Sequence, residues 1–164
     1  MIDFVKIPEE RLKFFKRQKY GEKLEKLAGC KIEENEEISI ETEDPILLMR
    51  IKEVIKAFGR GFEFDETLNL LDEQYCLETI NIKDFSRKSK DRMIVMKGRV
   101  IGSEGKAKRL IEKQTNVKIA IYGKTVSIIG KWEDVQKAKQ AIESLLQGRK
   151  HSTVFRSLME GRYG

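Results

Sequence analysis

The sequence predicts an α+β fold of two tandem βααββα units, each a three-stranded antiparallel sheet covered on one face by helices, with an extra C-terminal helix. Three observations carry this prediction. The chain repeats itself: Leu24, Cys30 and Ile32 recur as Ile111, Val117 and Ile119 at one offset of 87. A second β-type run follows in each copy, Ile38-Ser39-Ile40 and Val126-Ser127-Ile128. Each copy then closes on a long amphipathic stretch ending in Gly-Arg, at Gly59-Arg60 and Gly148-Arg149. The 164 residues suffice for two small domains of about 80 residues each, expected at 1–80 and 81–164.

In the first copy, Ile2 to Ile7 alternates as a strand does. Pro8-Glu9-Glu10 reads as a helix start, with proline early and acids in the first turn. A second helix runs to about Leu27, and Gly29 suits its end. Cys30–Glu34 and Glu37–Thr42 read as strands, and Asp44-Pro45 opens a helix to about Phe58. Leu68, Leu70 and Leu71 predict one more short helix in the link, so the two units are expected to pack together.

In the second copy, Ile80 to Asp84 reads as a short extended piece and Ser86 to Lys90 as a basic loop or turn. Met93 to Met96 is the expected first strand, and Gly98 to Ile101 a single helical turn. Lys106 to Thr115 is a helix, and Val117 to Tyr122 and Thr125 to Ile129 are strands joined by a tight turn at Gly123. Trp132 to Leu146 is the closing helix, with Val135, Ala138, Ala141, Ile142 and Leu145 on its apolar stripe. His151 to Met159 is the extra helix, with Ser152 as expected N-cap.

Gly102-Ser103-Glu104-Gly105 joins the two central helices of this copy. Glycine lets backbone approach a ligand closely and take conformations closed to other residues. Arg99 precedes the loop, and Lys106, Lys108 and Arg109 follow it. A bare backbone corner ringed by cations suits a sugar-phosphate chain. A GxxG loop between two helices, in this order of elements, is the layout of a type I KH domain. The same offset places Phe15-Lys16-Arg17-Gln18 on the loop of the first copy, so both glycines are missing there. The first unit is therefore read as a degenerate copy. Gly21 could mark a shifted loop, but Lys19 and Tyr20 do not restore the pattern.

Charge separates the halves in the same way. Residues 1–82 carry 13 Lys and Arg against 19 Asp and Glu, net −6, whereas residues 83–164 carry 20 against 8, net +12. A phosphate backbone is attracted to the second half and repelled by the first. The local cluster Lys13, Lys16, Arg17 and Lys19 is the exception. It reads either as a solvated face or as the edge of a longer RNA footprint.

The expected chemistry is capture of a single strand of about four nucleotides. Gly102, Ser103, Glu104 and Gly105 present backbone to phosphates, while Arg99, Lys106, Lys108 and Arg109 supply charge. Ile101 and Ile119 support bases or else pack in the core, and Lys118 reads base edges. Other classes fit poorly. A P-loop needs GxxxxGK[ST], but Ala107 follows Gly105-Lys106 and Val100 holds the place of the first glycine. His151 is the sole histidine, and Cys30 and Cys76 are far apart, so neither a zinc site nor histidine-based catalysis is expected. Glu33, Glu34, Glu36 and Glu37 read as a solvated turn before a divalent-ion site. No cofactor is expected. There is no apolar run long enough for a membrane span and no signal-peptide layout at Met1 to Lys6, so a cytoplasmic location is expected.

Gly98 to Lys106, Tyr122 to Gly130 and His151 to Arg156 closely resemble the archaeal two-KH ribosome-assembly proteins of the Dim-two, or partner-of-Nob, family, which is related to the Krr family. The resemblance covers most of residues 1–160 and is specific in the second half and loose in the first. It implies small-subunit maturation: binding near the 3′ end of the small-subunit rRNA, beside a Nob-type endonuclease, without nuclease activity of its own. It also implies a first KH unit without GxxG, which Phe15 to Gln18 match. Because initiation factors act at that 3′ end, a translation initiation factor is a further implied partner. Two other readings stay open on the residues alone. One is a KH module for mRNA or the exosome, and the other is a protein-interaction scaffold that binds RNA incidentally.

Overall fold

In the computed structural model, which describes residues 1–87 and 89–163, each half of the chain forms one three-stranded antiparallel sheet. The first unit, Met1–Glu73, runs β1 (Ile2–Val5), α1 (Glu9–Arg17), α2 (Tyr20–Ala28), β2 (Lys31–Glu34), β3 (Ile38–Glu41) and α3 (Pro45–Gly59), then a short α4 (Phe64–Thr67) and a 3-10 turn at Leu68–Leu71. The strand order is β1-β3-β2. The Asp44 carboxylate accepts from the Ile46 and Leu47 N–H groups at 3.0 and 3.2 Å, and Pro45 takes the first helical position.

An aromatic cluster forms the heart of this unit. The Phe58 ring stacks on Phe14 and meets Phe15 and Tyr20 edge-on at centroid distances of 5.9, 5.4 and 5.4 Å. Arg11 lies 4.1 Å over the Phe58 ring and donates to the Phe58 and Phe62 carbonyls, each at 2.8 Å. The half-buried guanidinium thus closes the C-terminal end of α3, where helix carbonyls would otherwise lack partners.

The second unit, Gln74–Gly164, runs β4 (Tyr75–Asn81), α5 (Lys83–Ser86), α6 (Lys90–Ile101), a 3-10 turn at Ser103–Gly105, α7 (Lys106–Thr115), β5 (Lys118–Tyr122), β6 (Thr125–Lys131), α8 (Trp132–Leu146) and α9 (His151–Met159). Its order, β4-β6-β5, repeats that of the first sheet. The 87-residue offset is visible in matching bonds. Glu25 accepts the Ile32 N–H at 3.0 Å, and Glu112 accepts the Ile119 N–H at 2.9 Å. Gly29 and Asn116, at the ends of α2 and α7, both have positive φ, 70° and 57°. The core under α6, α7, α8 and α9 includes Met96, Val100, Ile111, Ile128, Ile142 and Val154.

Several expectations are corrected here. The first strand of the second sheet is Tyr75–Asn81, paired with β6 from Tyr75↔Lys131 to Asn81↔Thr125. Met93 to Met96 instead lies inside α6, whose last turn includes Gly98 to Ile101. A four-residue apolar run fits strand and helix equally well. What decides is the stripe of Met93, Met96 and Val100 at helical spacing, and the Ser89 hydroxyl accepting the Arg92 N–H at 3.2 Å. The division between units accordingly falls at Glu73/Gln74 and not at 80/81. Of the basic segment 86–90, Ser86 ends α5 and Ser89 caps α6, whereas Lys88 lies outside the described residues. Lys150, not Ser152, holds the N-cap position of α9.

Truncating Phe58 to alanine empties the centre of the aromatic cluster and removes the ring under the Arg11 guanidinium, whose bonds to the two backbone carbonyls remain. A loss of about 3–5 kcal/mol is expected for the first unit, read by chemical denaturation followed through Phe and Tyr signals.

Candidate nucleic-acid interface

The Gly102–Gly105 loop is a backbone device. Gly102 caps α6 at φ 75° and ψ 174°, and its N–H donates to the Gly98 carbonyl at 2.8 Å. Glu104 and Gly105 also have positive φ, 54° and 76°. Three left-handed residues in four reverse the chain within one turn. Gly102 is required for a second reason: a Cβ there would stand 2.6 Å from the Ala107 Cβ and 2.7 Å from the Ala107 nitrogen. At Gly105 a Cβ would stand 2.9 Å from the Arg109 guanidinium, which folds back against the loop.

Helix α7 begins directly after this turn, and no side chain caps it. The Lys106 N–H, the first of the helix, donates to the Ser103 carbonyl, and the helix dipole makes this end attractive to an anion. Ser103, Lys106 and Arg109 are exposed around this end. Lys108 is half-buried and leans on Glu112 at 3.6 Å, so its charge is partly answered within the helix.

Two expected residues have other employment. Arg99 donates from Nε to the Leu145 carbonyl at 2.9 Å and from Nη2 to the Arg149 carbonyl. Its guanidinium closes the C-terminal end of α8, and Arg99 also lines the cavity beside the loop. Ile119 is buried in the core. Ile101 is 36% exposed on α6, and Ile94, on the same helix, is 69% exposed. Lys118 is exposed at the start of β5.

Helix α9 adds what the sequence did not connect to the loop. His151 donates from Nε2 to the Arg99 carbonyl at 2.8 Å, so that nitrogen carries the proton. Its ring and Phe155 wall a cavity of about 460 Å³ shared with Val95, Gly98, Gly102 and Lys106. The sequence announced α9 through its amphipathic spacing, but which helices it would meet is a tertiary matter.

The first unit offers no such loop. Only Gln18 and Lys19 separate α1 from α2, and of these Lys19 alone is left-handed, at φ 58°. Phe15 is fully buried in the aromatic cluster. Gly21 is not a displaced loop glycine. It lies within α2, where a Cβ would strike the Glu34 carboxylate and stand 3.3 Å from Ile32. Burial pushes the Glu34 carboxyl up, with nearby Lys16 opposing the shift. The start of the helix, which carries no side-chain cap in the second unit, is met in the first by the Glu34 side chain.

Among the described residues no group of three or more His, Cys, Asp or Glu could hold a metal ion. No helix among them is long and apolar enough to cross a membrane.

Gly98 and Gly102 should respond oppositely to alanine. A Cβ on Gly98 meets nothing within 4 Å, so Gly98→Ala should stabilise α6 by about 0.5–1 kcal/mol. Gly102→Ala should cost at least about 1–2 kcal/mol from the left-handed backbone alone. Thermal melts of the two variants check the contrast.

A family model described as "Eukaryotic type KH-domain (KH-domain type I)" matches residues 76–162. The chain is 36% identical over 170 residues to the "KH domain-containing protein MJ0443" of Methanocaldococcus jannaschii, covering 98% of this chain and 74% of that one. It is 34% identical over 119 residues to the "Pre-rRNA-processing protein PNO1" of Eremothecium gossypii, covering 71% of this chain and 44% of the relative, so it matches less than half the length of that protein. A chain in the crystal structure of the a/eIF2alpha-aDim2p-rRNA complex from Pyrococcus horikoshii superposes with a TM-score of 0.89 at 33% identity, covering 99% of this chain and 94% of that one. Two sheets of one order, a GxxG turn in the second unit only, and these likenesses place the chain in the Dim2/PNO1 family of KH proteins.

Proposed function

We propose that this chain is a single-stranded RNA-binding protein of small-subunit rRNA maturation, holding the 3′ region of that RNA or its precursor for a processing endonuclease. The observation that carries the reading is the left-handed turn at Gly102, Glu104 and Gly105, which opens onto the uncapped N-terminus of α7 beside Lys106 and Arg109. A helix N-terminus with no side-chain cap and two exposed cations are suited to the phosphates of about four nucleotides. Ile101, with Ile94 beside it on α6, offers apolar surface to bases, and Lys118 offers a donor. Arg99 is assigned a positioning role, holding α6 against the end of α8. The name of the E. gossypii relative supports the pre-rRNA assignment, and the contents of the P. horikoshii complex support rRNA and a translation initiation factor as partners.

The two units divide the work on this reading. The second, with its basic surface, takes RNA. The first, acidic and without a GxxG turn, serves as scaffold and as a surface for protein partners such as the endonuclease. Nothing in the site calls for catalysis, and the chain acts by holding RNA in place.

The test is binding of the purified chain to a labelled RNA of the small-subunit 3′ end, beside a scrambled RNA, over a salt series. Tight, sequence-preferring binding that weakens with salt is expected. The double variant Gly102→Asp/Gly105→Asp should lose at least about tenfold in affinity by placing carboxylates where phosphates would sit. Arg109→Ala, which leaves the backbone turn intact, should weaken binding to both RNAs alike and make the salt dependence shallower. Unchanged affinity in both variants would remove the loop from the interface.

A further inference from the structure

A second group of cations gathers at the end of α6 remote from the Gly102–Gly105 loop. The β4–β6 ladder ends at Asn81↔Thr125, and the next N–H, that of Ile82, donates to the Lys124 carbonyl at 2.8 Å. The Asn81 side chain accepts the Lys83 N–H at 3.0 Å and fixes the start of α5. These bonds set Lys83 beside the β5–β6 turn that carries Lys124. Lys90 opens α6, whose start is tied to α5 by the Ser89 N–H donating to the Ser86 carbonyl at 3.1 Å. Lys83 beside it holds the Lys124 ammonium below the ordinary lysine range, with burial and Lys90 contributing less. Among the described residues none of the three forms an ion pair, although Asp84 and Asp91 are exposed neighbours in the chain.

Unpaired like charges held together by strand pairing repel one another, and the repulsion is relieved by a polyanion. Helix α6 has 12 residues, so its two ends are about 18 Å apart. The lysine corner is therefore separate from the loop clamp, yet within reach of a strand longer than the four nucleotides held there. We infer that Lys83, Lys90 and Lys124 form a second phosphate subsite, which takes the backbone of the same RNA strand beyond the nucleotides at the GxxG turn. This rests on the RNA-binding reading above. It also gives a role to α5, a segment for which the first unit has no counterpart between β1 and α1.

The test compares five-nucleotide and twelve-nucleotide RNAs of the small-subunit 3′ sequence by fluorescence anisotropy over a salt series. The proteins are the wild-type chain and Lys83→Ala/Lys124→Ala, with melting curves to show equal folding. The variant should bind the longer RNA roughly tenfold more weakly, with a salt slope shallower by about 1.4, and bind the shorter RNA as the wild type does. Equal affinity and slope for the longer RNA would overturn the subsite, as would equal losses on both lengths. The Gly102→Asp/Gly105→Asp protein keeps the two readings apart. If it binds the short RNA like the wild type, the loop reading fails, whereas the subsite stands or falls on the lysine variant alone.

Discussion

The second unit is organised around the close approach of Gly102 to Ala107. With a side chain at Gly102 the two residues could not stand as they do, since even a Cβ would fall 2.6 Å from the Ala107 Cβ. That approach lets α7 start directly against the end of α6, and Ala107, buried, seals the junction. The turn then has to be made of left-handed residues, and it leaves the N-terminus of α7 without a side-chain cap. The feature that makes this surface suited to anions is a consequence of how tightly two helices are joined.

The first unit shows the same frame with that constraint removed. Strand order, the carboxylate reaching from α2 to β2, and the left-handed end of α2 are all retained. The junction of α1 and α2 is shortened to two residues, and Phe15 turns inward to join Phe58 and Tyr20. Aromatic area and the Arg11 clamp replace an open backbone corner. One copy is acidic and closes its corner with aromatic side chains, and the other is basic and keeps its corner open.

The loop is also held from behind. Arg99 spans from α6 to the Leu145 carbonyl at the end of α8 and to the Arg149 carbonyl just beyond it, and His151 returns a hydrogen bond to the Arg99 carbonyl. Val154 buries α9 in the same core as Met96 and Val100. The extra helix thus braces α6, one of the two helices that shape the turn. Arg99 thus fastens α6 to α8 while lining the cavity beside the loop.

How much of this was legible depends on the range of the interaction involved. The repeat, the element order of the first unit, α7, the hairpin and both closing helices follow from local spacing, capping residues and turn glycines, which short segments carry in full. The GxxG turn was legible because its demand for positive φ is itself local. The first strand of the second sheet was not: Tyr75–Asn81 is chosen by pairing with β6, about fifty residues away, and Met93 to Met96 joins a helix because its apolar stripe has a core to face. Site assignments divide along the same line. Composition placed Lys106 and Arg109 on an exposed basic surface, but only packing could assign Arg99 to the end of α8, bury Ile119, and bring Lys83 beside Lys124 through a backbone bond between distant segments. By itself the sequence determined which backbone conformations are allowed and where charge is available. The tertiary structure decided which of those charges are already satisfied, because a side chain's partners are set by what the fold brings to it.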